Sequence, residues 1–180
     1  MILSLILPIV LSAVALFFAS FLSWMVLQLH KKDWGKVARE DDLMAAVKKC
    51  DLAEGSYMFP CCGSQAEMQT EAFQQRYAAG PRGVLTILPK TNMGKNLALT
   101  FAYFLAASAG LAFLAAMAFD RGTAPWSVFR LVFVAGYLTF AAAMVQQAIW
   151  FRPRIVGHVI EAAAYAAITG VIFAALWPAA

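Results

Sequence analysis

Four apolar runs, the first separated from the rest by one long polar stretch, set the pattern of this chain. They extend from about Leu3 to Leu29, Leu97 to Phe119, Trp126 to Trp150 and Ile155 to Trp177. A helix crosses a ~30 Å hydrocarbon core with about 20 residues, so each run is long enough to span a membrane. Asp120-Arg121-Gly122-Thr123-Ala124-Pro125 separates the second and third runs, and Phe151-Arg152-Pro153-Arg154 the third and fourth; both read as turns. Pro8, in the outer third of the first run, is expected to kink that helix or end it early. Met1 to Leu29 carries no charged side chain and is too long for the core of a secretory signal, so it reads as an uncleaved anchor. The predicted fold is an all-α polytopic membrane protein. Residues 1–29 form transmembrane helix 1, residues 30–95 a small α+β cytoplasmic insertion, and residues 96–180 transmembrane helices 2–4.

Periodicity inside the insertion predicts helix, strand, helix, strand. Asp41 or Asp42 is expected to cap a helix to about Cys50, with Leu43, Ala46 and Val47 on one face and Lys48 and Lys49 at its end. Ser56-Tyr57-Met58-Phe59 is strand-like. Ser64-Gln65-Ala66-Glu67 is a capping box, opening a helix to about Ala79 that Gly80 and Pro81 stop. Gly83 to Leu88 is the second β-type run, closed by Pro89. A single connecting helix of about 14 residues predicts parallel strands joined by a right-handed crossover. Met58 or Phe59 would then be buried under Met68, Ala72 and Phe73.

Composition agrees with the membrane reading. The chain is 62% apolar and 13% charged, against about 45–50% and about 25% in soluble proteins. Its net charge of +4 reads as topology and attraction to anionic headgroups. With no arginine-rich array, RNA-binding motif or basic recognition helix, no nucleic-acid partner is expected. The His30–Lys95 stretch holds ten of the fourteen Lys and Arg, and the Arg152–Arg154 turn two more. Arg121 and Arg130 lie toward the other side. The positive-inside rule then puts both termini outside and residues 30–95 in the cytoplasm. Trp24, Trp126, Trp150 and Trp177 fall near run ends, as an aromatic belt requires.

Gly55-Ser56-Tyr57-Met58-Phe59-Pro60, Gly80-Pro81, Leu88-Pro89 and Asn92-Met93-Gly94-Lys95 resemble a family of small four-span bacterial inner-membrane proteins. Ile149-Trp150-Phe151 and Leu176-Trp177-Pro178 extend the resemblance, which covers Trp34 to Pro178. It implies a multi-pass protein of the bacterial inner membrane and attaches no activity. Phe151-Arg152-Pro153-Arg154 departs from the Phe-Gly-Arg-Pro of that family.

Candidate chemistry is sparse. Gly94-Lys95 fails the phosphate-loop pattern, because Pro89 and Asn96 stand where Gly and Ser or Thr are needed. Cys50, Cys61 and Cys62 are weak metal candidates: the adjacent pair diverges, and only coincidence of folding would add Cys50 and His30. Glu161 is the only carboxylate within an apolar run, and intramembrane ionisable groups are functional hypotheses by default. His158 and Tyr165 share its helix face by i−3 and i+4 spacing. Gln146, Gln147, Asn96, Thr100 and Tyr103 lie at similar depth on other helices, so a polar cluster near the inner leaflet is expected. Arg130 belongs to the opposite leaflet. His158-x-x-Glu161 reverses the Glu-x-x-His order of di-iron bundles and reads as a single occurrence, so no metal or other cofactor is assigned.

Small residues are frequent on the last three runs and permit close helix approach. The leading expectation is a non-enzymatic accessory or scaffold subunit, self-associating or serving another inner-membrane protein. The alternative is a small transporter or channel with its site around Glu161, His158 and Gln147. An enzyme acting on lipid headgroups ranks third: Tyr57, His30 and Cys61 could reach the interface, but a convincing nucleophile–base pair is lacking.

Overall fold

Residues 2–180 are described by a computed structural model. Four of its helices are long and apolar enough to cross a membrane: Leu3–Val26, Met93–Ala118, Pro125–Phe151 and Val156–Ala175. The chain divides into two compact units, Met1–Gly35 with Met93–Ala180, and Lys36–Asn92.

The first long helix changes pitch twice. A 3₁₀ turn at Ile2–Leu5 leads into α1 (Ile6–Phe21), which ends in a π-helical turn at Leu22–Val26. Pro8 sits in the first turn of α1, where its missing N–H leaves no helical bond unmade. The helix therefore does not continue to Leu29, as the apolar run alone predicts. Gln28 takes a left-handed conformation, φ 50°, and the Leu29 N–H donates to the Ser23 carbonyl at 3.1 Å. This is a helix-ending turn widened by one residue, and it throws His30 back against the bundle.

After three shorter helices, α2 (Glu40–Lys49), α3 (Gln65–Met68) and α4 (Glu71–Ala79), come Met93–Ala118 (α5), Pro125–Phe151 (α6) and Val156–Ala175 (α7), which start or stop within four residues of expectation. Pro125 opens α6 at a position that needs no amide. Arg152 closes it in the left-handed region, its N–H donating to the Ala148 carbonyl, and Pro153 prevents continuation. Small residues set the packing of α6 on α7: a Cβ on Gly170 would lie 2.9 Å from the Phe129 ring. Leu5, Leu111, Ala115, Val128, Val132 and Phe173 form the core at one end of the bundle. Ala13, Leu16, Phe104 and Tyr165 form it toward the other.

The 120–124 turn, Ser4 and the C-terminal residues meet at one end. Gly122 N–H donates to the Pro178 carbonyl at 2.9 Å, Trp177 Nε1 donates to the Asp120 carbonyl at 3.0 Å, and Arg121 reaches Ser4 Oγ. Gly122 has φ 74°, and a Cβ there would lie 2.9 Å from Ala180, so both conformation and space require glycine.

The Lys36–Asn92 unit contains α2 (Glu40–Lys49), β1 (Gly55–Phe59), α3 (Gln65–Met68), α4 (Glu71–Ala79) and β2 (Gly83–Ile87). Helix α2 starts earlier than Asp41 and has no side-chain cap; Arg39 instead pairs with Asp42 one turn on. The strands are antiparallel, with Gly55 opposite Ile87 and Phe59 opposite Gly83, which corrects the parallel expectation. The reason lies in the connection. The Ser64 cap forms, but Thr70 caps a second helix by accepting from the Phe73 N–H, so two short helices replace one crossover helix. Neither piece runs far enough back to start a parallel strand. Met58 and Phe59 are consequently not buried; the Phe59 ring covers the space at Gly83, and Phe73 is the buried aromatic.

Candidate functional site

The widened turn after the π-helical segment positions the site. It carries His30 onto the start of α7, where His30 is only 3% exposed. Gly157 makes room: a Cβ there would meet the Leu29 carbonyl oxygen at 3.0 Å and His30 Nδ1 at 3.1 Å.

His30 Nδ1 lies 2.7 Å from Asp33 Oδ2. A carboxylate only accepts, so this bond places a proton on Nδ1 and turns Nε2 toward Glu161. Nε2 is 3.1 Å from Glu161 Oε2 and makes no hydrogen bond. The distance alone reads as an ion pair; with the ring proton on Nδ1, Nε2 and Oε2 instead face one another as two lone-pair atoms with no proton between them. Glu161 Oε1 accepts from the Tyr165 hydroxyl at 2.8 Å, and His158 Nε2 stands 3.6 Å from Asp33 Oδ2. Trp24 stacks on His30 with ring centroids 4.0 Å apart, and the two histidine rings are 4.4 Å apart.

His158, Glu161 and Tyr165 also line a cavity of about 240 Å³, with Ser20, Trp24, Thr100 and Tyr103 among its other walls. Ser20, Trp24 and Thr100 are shared with an apolar groove of about 480 Å³, lined further by Phe17, Phe21, Met25 and Leu97. The polar cluster thus opens beside an apolar surface.

The structure brings together Glu161, His158, Tyr165 and Tyr103. It does not bring in Gln146, Gln147 or Asn96, whose side chains are exposed; Asn96 contributes only its carbonyl, to Thr100 Oγ1. Cys50 and Cys61 are exposed free thiols and Cys62 a half-buried one, all in the other unit. Arg130 lies over the Trp126 ring. His30, Asp33 and Trp24 were not predicted as members. A signal for two of them exists: the chain has two histidines, and each is followed three residues later by a carboxylate, His30-x-x-Asp33 and His158-x-x-Glu161. The histidine–carboxylate pattern is therefore repeated, with Asp in one copy.

Among the described residues, the His, Cys, Asp and Glu side chains whose donor atoms converge are His30, His158 and Glu161. Such an arrangement can hold a proton between imidazole and carboxylate, or a cation among all three. No family model, no curated protein and no solved structure matches this chain. The resemblance to the four-span family therefore stands on the quoted motifs alone.

Proposed function

We propose that the chain is a multi-pass bacterial inner-membrane protein, of small transporter or channel type, that handles a cation at a polar site near the cytoplasmic end of its bundle. The observation that supports this best is the buried His30–Glu161 pair, 3.1 Å apart, beside an open cavity. Ionisable groups within membrane spans are costly to place there and mark ion or proton pathways. A bundle needing only cohesion is served by small residues and neutral hydrogen bonds. The four long apolar helices support membrane residence, and the Lys and Arg count supports termini outside with residues 30–95 in the cytoplasm.

A second reading, an accessory or scaffold subunit or homo-oligomer, draws on α5. Ala102, Ala106, Ala109 and Gly110 form an exposed small-residue stripe, and a Cβ on Gly110 would meet nothing within 4 Å. A helix of another copy or another membrane protein could approach closely there.

Proteoliposome flux under imposed proton and divalent-cation gradients separates the two. The site reading expects flux from the native chain and its loss in Glu161→Gln. Equal flux in both, or none under any gradient, removes it and leaves the scaffold reading, which native mass measurement in mild detergent then tests.

A further inference from the structure

We propose that His30, His158 and Glu161 bind a divalent first-row transition metal ion, with Asp33 orienting His30 from behind. The inference rests on the reading of this cluster as a cation site and names the class of cation.

Three features of the geometry argue for a metal over a shared proton. First, one donor atom from each residue lies within 4.8 Å of the other two. Zinc bonds imidazole nitrogen at about 2.0–2.1 Å and carboxylate oxygen at about 2.0–2.2 Å, so neighbouring donors around one ion sit roughly 3–3.5 Å apart. His30 Nε2 and Glu161 Oε2, at 3.1 Å, already stand at that separation. His158, the more exposed member, has only to close the remaining gap.

Second, His30 Nε2 is buried without a hydrogen bond although an acceptor is beside it. With the ring proton on Nδ1, Nε2 and the carboxylate oxygen are two lone-pair atoms side by side, which make no hydrogen bond and form an ordinary pair of ligands to one ion. Third, Asp33 accepts from His30 Nδ1 at 2.7 Å, the carboxylate–histidine arrangement that fixes the ring's tautomer and orientation at metal centres. Trp24 stacked on the ring covers one of its faces.

The donor set chooses the metal class. Two imidazoles and one carboxylate suit zinc, iron, cobalt or nickel, whereas calcium and magnesium take oxygen ligands. His158 and Glu161 border the cavity, so a bound ion would keep a position open on that side. Exchangeable and catalytic metals keep an open position; closed structural sites use four protein ligands. Such an ion would also offset the charge of Asp33 and Glu161, whose ion-pair partners here are histidine rings.

The test uses the full chain in mild detergent, stripped with a chelator and titrated with Zn²⁺ alone. One Zn²⁺ per chain is expected, with an X-ray absorption signature of two imidazoles plus oxygen and no sulfur. The Cys50→Ser, Cys61→Ser, Cys62→Ser triple variant should bind equally well. Glu161→Gln and His158→Ala should each lose at least about tenfold in affinity, and Asp33→Asn about 10–100-fold through misorientation of His30. No Zn²⁺ binding, sulfur in the coordination shell, or undiminished affinity in Glu161→Gln would overturn the assignment. The spectrum of the native chain decides this even if a variant fails to fold. Zn²⁺ binding without flux would remove the transport reading and keep the metal site. Glu161-dependent proton flux without Zn²⁺ binding would do the reverse.

Discussion

Gly157 and His30 are packed so closely that a Cβ on residue 157 would lie 3.1 Å from the His30 ring and 3.0 Å from the Leu29 carbonyl oxygen, so those neighbours would have to give by a few tenths of an ångström. Glycine at that position lets the first turn of α7 and the turn after the π-helical segment approach without displacing either. Inserting one methyl into packed surroundings typically costs about 1–3 kcal/mol. Gly157→Ala is therefore expected to lower thermal stability and to loosen His30 from Glu161 together. Gly110→Ala is the control, because that position has open space around it. Thermal unfolding of both variants in detergent, with Zn²⁺ affinity measured alongside, checks the claim. Equal behaviour of the two would mean that the contact does not hold His30 in place.

The long apolar helices were legible because a span announces itself by length and uniform apolarity, and the third run, Trp126 to Trp150, differs from α6 by one residue at each end. The end of the first helix was not. Apolar residues continue to Leu29, and nothing in their pattern distinguishes an α-turn from the π-turn and left-handed Gln28 that stop it. Glu161, His158 and Tyr165 could be grouped because they share a face of one helix. His30 and Asp33 join them through Gly157, a contact between segments far apart in sequence, so periodicity within either segment cannot reveal it. The two His-x-x-carboxylate spacings were visible but carry weight only once the rings are seen 4.4 Å apart. Strand direction failed for a different reason: one threonine, Thr70, turned an expected single helix into two.

Phe73 rather than Phe59 should govern the stability of the Lys36–Asn92 unit. Phe73 is 7% exposed and stacks near Tyr77, while Phe59 is 42% exposed over Gly83. Truncating a buried Phe to Ala costs about 3–5 kcal/mol, a large share of the about 5–15 kcal/mol that holds a typical domain. Phe73→Ala should release residues 36–92 to limited proteolysis and leave the long helices protected. Phe59→Ala should be cleaved at nearly the parental rate. If Phe59→Ala were cleaved as fast as Phe73→Ala, the cross-strand contact with Gly83 would matter more than its exposure indicates.

The orientation in the membrane can be read from the chain's own thiols. All three cysteines lie between residues 36 and 92, and Cys50 and Cys61 are exposed. The wider His30–Lys95 stretch around them carries ten of the fourteen Lys and Arg, which the insertion machinery retains on the cytoplasmic side. A membrane-impermeant maleimide added to intact spheroplasts should therefore leave the native chain unlabelled until the cells are lysed. The opposite end supplies the converse probe. The exposed Ala180 lies against Gly122, at the end of the bundle that gathers Ser4, the 120–124 turn and Pro178. In a cysteine-free background, Ala180→Cys should label without lysis. Labelling of the native thiols in intact spheroplasts, with Ala180→Cys protected, would invert the topology. It would also move the His30–Glu161 cluster to the outer end of the bundle, where a cation would enter from the periplasm.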